Sequence, residues 1–146
     1  MTNIEVFNTI VGFVLADLYE AFPVPINLRA PKYAVQAGLP EDPEHLQFND
    51  SDPAAAAITW LLQEGFIRAA DNNSDGFLVP ACVLSHKGLQ LLSMPESIDR
   101  KESFGSRIMT AAKSGSIDGV KDLSKTLMLQ GSKLAFKIGM EYLMQP

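Results

Sequence analysis

Side-chain catalysis needs a titratable or nucleophilic group held beside a second one, and few residues of this chain qualify. The two histidines are His45 and His86, and neither has a second histidine or a cysteine pair at ligand spacing. Cys82 is the single cysteine, which excludes an intrachain disulfide and a cysteine-based zinc site. It sits in an apolar run, 79–84, and reads as a small buried hydrophobe rather than a reactive thiol. Neither GxxxxGK nor GxGxxG occurs, so no phosphate-cradling loop is present. Glu41, Asp42, Glu44, Asp50 and Asp52 crowd one segment without a Lys or Arg. A calcium loop would alternate Asp and Asn around a central Gly, a pattern missing here, so the segment reads as a solvated acidic loop. No metal, no cofactor and no catalytic residue are expected.

Composition sets the frame around these residues. The 146 residues are 47% hydrophobic and 20% charged, which is globular rather than disordered, and allows one domain or one domain with an appendage. Glu5, Asp17 and Glu20 interrupt the first apolar stretch, and no uninterrupted run reaches the ~18 residues of a membrane span. No secretory signal and no membrane span are expected, and the cytoplasm is the expected location. Charge is unevenly divided: residues 1–99 net −9 and residues 100–146 net +4. An acidic body therefore carries a basic tail.

Helical spacing of Ile4, Phe7, Val11, Val14, Leu15, Leu18 and Phe22 predicts an amphipathic first helix, with Glu5, Thr9, Ala16 and Glu20 on its outer side. Pro23 and Pro25 stop it. A short helix over 31–37 fits Pro31 in a first turn and Gly38 beyond its end, and 40–52 follows as a loop. Asp52-Pro53 is a strong helix start, and the helix over 53–64 closes at Gly65. Residues 66–70 and 77–84 then read as two strands of a hairpin around the turn Asp71-Asn72-Asn73-Ser74-Asp75-Gly76. Pro80 cannot donate a ladder hydrogen bond, which puts the second strand at an edge or at a bulge. Ser85 caps a helix over 87–92, ended by Met94-Pro95.

Over residues 53–93 this order resembles the wing half of a winged helix-turn-helix domain. The resemblance is carried by Ile58-Thr59-Trp60-Leu61-Leu62-Gln63-Glu64-Gly65-Phe66-Ile67 and by Val83-Leu84-Ser85-His86-Lys87-Gly88-Leu89-Gln90-Leu91-Leu92. It implies a fold that is mainly α with a small β-hairpin: a winged-helix-like domain over 1–95 and a helical C-terminal extension over 96–146. It also implies DNA binding through the helix before the hairpin. That helix departs from the expectation, because 52–64 contains no Arg or Lys and opens with four alanines behind an aspartate. DNA affinity rests largely on neutralising phosphates, which a body of charge −9 opposes. Trp60, beside Leu61, reads as core or interface.

In the tail, Phe104, Ile108 and Ala112 fit one face of a short helix. Val120, Leu123, Leu127, Leu134 and Ile138 then line one face of a longer helix, with Ser124, Gly131 and Ala135 beside them to allow close backbone approach. Leu129, Phe136, Met140 and Leu143 form a second stripe among the lysines. Two stripes imply either a helix enclosed on both sides or one that docks a second surface. Because an exposed apolar patch of that size is rare on monomers, the tail reads as a docking helix, for self-association first, packing within the chain second, and another protein or a membrane surface third. The first expectation is thus a non-enzymatic interaction or regulatory module, self-associating through Leu129, Phe136, Met140 and Leu143. Glu41, Asp42, Glu44, Asp50, Asp71 and Asp75 would offer an acidic surface to a basic protein partner. The alternative is a dimeric DNA-binding regulator that uses Arg29, Lys32, Arg68 and the basic tail for phosphate contacts. A small enzyme with an unrecognised site ranks third.

Overall fold

In the first turn Thr2 Oγ1 accepts the Glu5 amide at 3.2 Å while Glu5 Oε2 accepts the Thr2 amide at 3.0 Å. This reciprocal cap starts helix α1 (Asn3–Ala21) and satisfies two amides that helix geometry leaves without partners. The computed structural model describes residues 1–39, 52–70, 75–97 and 100–144, giving the backbone alone for 96, 97, 100 and 131–144.

Along α1, every residue from 8 to 16 is buried. The outer side expected for Thr9 and Ala16 does not exist, because α1 packs against the later helices α3 (Pro53–Gln63), α5 (Phe104–Lys113) and α6 (Ile117–Met144). Small residues allow this. A Cβ added at Gly12 would stand 2.5 Å from Val120 Cγ1, 3.1 Å from the Val120 carbonyl oxygen and 3.2 Å from Ser124 Cβ. Ser124, fully buried, thus meets α1 at the close approach that its small side chain permits.

After α1 come strand β1 (Ile26–Arg29) and helix α2 (Ala30–Gln36), which has Pro31 in its first turn and Gly38 at φ +79° beyond its end. Helix α3 is followed by β2 (Ile67–Arg68), β3 (Leu78–Leu84) and α4 (His86–Ser93). The chain continues through β4 (Pro95–Ser97) and β5 (Arg100–Ser103) into α5 and α6. It is mainly helical with a small three-stranded antiparallel sheet in the order β1-β3-β2; β4 and β5 form a separate antiparallel pair.

The sheet corrects the expected two-stranded hairpin. Residues 26–29 supply a third strand, in register Ile26 with Cys82, Leu28 with Val79 and Arg29 with Leu78. β3 is therefore central, and Pro80 is accommodated at a bulge rather than at an edge. The register slips between Ile26 and Leu28, and Ala81 takes φ +50°. Asn27 Oδ1 accepts the Ala81 amide at 3.0 Å, replacing a bond that the interrupted ladder does not supply.

One continuous buried cluster runs from Leu28 and Val79 of the sheet through Leu15 and Leu61 to Phe104, Ile108, Val120 and Leu127. Helix α5 and the first turns of α6 thus share the core of α1 and α3. Phe104 and Ile108 are buried as their spacing predicts, and Ala112 is half-buried.

Candidate functional site

Asp52 caps α3, its Oδ1 accepting the Ala54 amide at 2.9 Å. Three of the four alanines that follow (Ala54, Ala55 and Ala57) are buried, so this first turn is a packing surface. The base of the β2–β3 connection seats on it. Gly76, at φ +82°, lies against the Ala55 carbonyl and Thr59 Oγ1, where a Cβ would collide with both. Thr59 Oγ1 donates to the Ala55 carbonyl at 2.9 Å and reaches the Asp75 carbonyl at 3.2 Å. What α3 leaves exposed is Pro53, Ala56 and Gln63, followed by Glu64, with Thr59 and Trp60 half-buried. None carries positive charge.

The far end of α3 is locked by the segment that carries the wing resemblance. Ser85 Oγ accepts the Gly88 amide at 3.1 Å, capping α4, and donates to the Gly65 carbonyl. Lys87 Nζ donates to the Glu64 carbonyl at 2.9 Å and sits 4.3 Å from the centre of the Phe66 ring. Carbonyls left open at the C-terminus of α3 thus receive donors from the N-terminus of α4. Gly88 permits the approach, since a Cβ there would overlap the Phe66 carbonyl oxygen and lie 3.2 Å from its carbon. The Ser-His-Lys-Gly sequence therefore ties two helices together, and Lys87 is engaged in that tie.

The three basic residues predicted as phosphate contacts are exposed but not gathered. Lys32 Nζ is 2.8 Å from Asp17 Oδ2, the same oxygen that accepts the Tyr33 hydroxyl at 2.8 Å. Burial first, and the Asp17 carboxylate second, push the Tyr33 hydroxyl well above the ordinary tyrosine range, so it remains a donor to Asp17. Arg29 pairs with Leu78 and Arg68 with Val83, which places both arginines on the outer face of the sheet along opposite strands. They are separated by roughly 15 Å along β3 and a further two strand spacings across it.

Of the predicted acidic surface, Asp75 is exposed and its Oδ1 accepts the Phe77 amide at 2.9 Å. Glu41, Asp42, Glu44, Asp50 and Asp71 lie outside the described residues, as does His45. On α6, Leu129 is 61% exposed; the side chains of Phe136, Met140 and Leu143 lie outside the described residues. Among described residues no group of three His, Cys, Asp or Glu is placed to hold a metal ion, and no helix is long and apolar enough to cross a membrane.

His86 is exposed at the first residue of α4. Cys82 is fully buried, and burial pushes its thiol up to about 12. At ~pH 8 the native protein should therefore resist an aromatic disulfide reagent for hours, then react stoichiometrically in denaturant. Rapid labelling of the folded chain would contradict this burial.

A groove of about 490 Å³ between α5 and α6 is lined by Glu102, Arg107, Thr110, Ser114, Asp122 and Thr126 among others. Three of its hydroxyls donate to their own helices, Thr110, Ser114 and Thr126 to the carbonyls of Ser106, Ala111 and Asp122.

Sequence reading left unassigned an aromatic group that α1 and α3 bring together. Phe7 stands edge-on to Trp60 with centroids 5.1 Å apart, and Trp60 stacks on Phe66 at 5.8 Å. Beside it, Ile4 is 68% and Met1 63% exposed. The spacing of Ile4 and Phe7 signalled only a core-facing stripe, and nothing in the sequence marked where that stripe would emerge. In comparisons with known proteins, no family model, no curated protein and no solved structure matches the chain.

Proposed function

We propose that this chain is a winged-helix scaffold working as a non-enzymatic interaction or regulatory module rather than as a DNA reader. It would act in the cytoplasm, pair through α6 and offer an acidic surface to a basic protein partner. The scaffold reading is supported by the order α1-β1-α2-α3-β2-β3, by the sheet order β1-β3-β2, and by a hairpin seated beside α3. The functional reading is carried by one observation: the helix in the recognition position exposes Pro53, Ala56 and Gln63, followed by Glu64, with no cation among them. A helix presented to a polyanion must neutralise phosphates, and this one brings no positive charge with which to do so.

Fluorescence anisotropy of a labelled generic duplex tests this. In about 50 mM salt, the full chain is expected to give no saturable rise up to roughly 10 µM protein, where an ordinary DNA-binding domain binds nonspecifically. Micromolar or tighter binding that weakens steeply with added salt would restore the dimeric DNA-binding regulator as the better reading.

A further inference from the structure

We draw no further inference here: the strongest candidate, the apolar surface where the exposed Ile4 of α1 lies beside Phe7 and Trp60, carries nothing because nothing in the structure shows what covers it.

Discussion

Gly88→Val is expected to cost the fold about 3 kcal/mol, near the upper end for forcing bulk into a packed site. At this chain length that corresponds to roughly 9 °C in melting temperature. The added Cβ overlaps the Phe66 carbonyl oxygen, a backbone atom that cannot rotate away. Relief requires α4 to retreat from α3. Retreat would lengthen the bond from Ser85 Oγ to the Gly65 carbonyl and the bond from Lys87 Nζ to the Glu64 carbonyl. Gly65→Ala is the control: at φ +77° with nothing within 4 Å of its added Cβ, it suffers backbone strain alone, on the order of 1 kcal/mol. Urea denaturation of the two variants separates the effects. Equal midpoints would show that close approach at Gly88 contributes nothing to the tie between α3 and α4.

The second large effect is expected at Gly12. Replacing a helical glycine ordinarily favours the helix by up to about 1 kcal/mol. Here Gly12→Leu should instead destabilise by about 3 kcal/mol, because α6 leaves no space at that position. Val120 Cγ1, the Val120 carbonyl oxygen and Ser124 Cβ all lie within 3.2 Å of the added Cβ. The repair is specific: Val120→Ala in the Gly12→Leu background should recover part of the loss, although alone it costs stability by removing fully buried methyl groups. A simple effect on α1 would show no such coupling. Gly12→Leu at or above wild-type stability would mean that α6 does not rest on α1.

Much of the backbone plan can be read from local chemistry. Asp52 before Pro53, Ser85 before His86, and Gly38 and Gly65 beyond helix ends act within a few residues of themselves, and each marks the boundary where it stands. β1 carried no comparable signal. Ile26-Asn27-Leu28-Arg29 is four residues between Pro25 and Pro31, too short to form a strand without the edge that β3 offers. The enclosure of α1 over residues 8–16 was also illegible, since Thr9, Gly12 and Ala16 weigh little in any hydropathy pattern. They are buried because neighbours come close to them, not because they are strongly apolar.

For the candidate site, the missing positive charge on residues 53–64 follows from composition alone, since charge belongs to residue types and survives any rearrangement. Which cations remain available is a matter of distance, and distance is tertiary. Only the folded chain pairs Lys32 with Asp17, spends Lys87 on the end of α3, and sets Arg29 and Arg68 on opposite strands. It also brings Phe7 to Trp60, two residues far apart in sequence, leaving Ile4 exposed beside them. Sequence determined the caps, the turns and the sign of the charge, because these are local or additive. Packing decided the third strand, the central position of α1 and the aromatic surface, because each depends on a partner that the chain supplies only on folding.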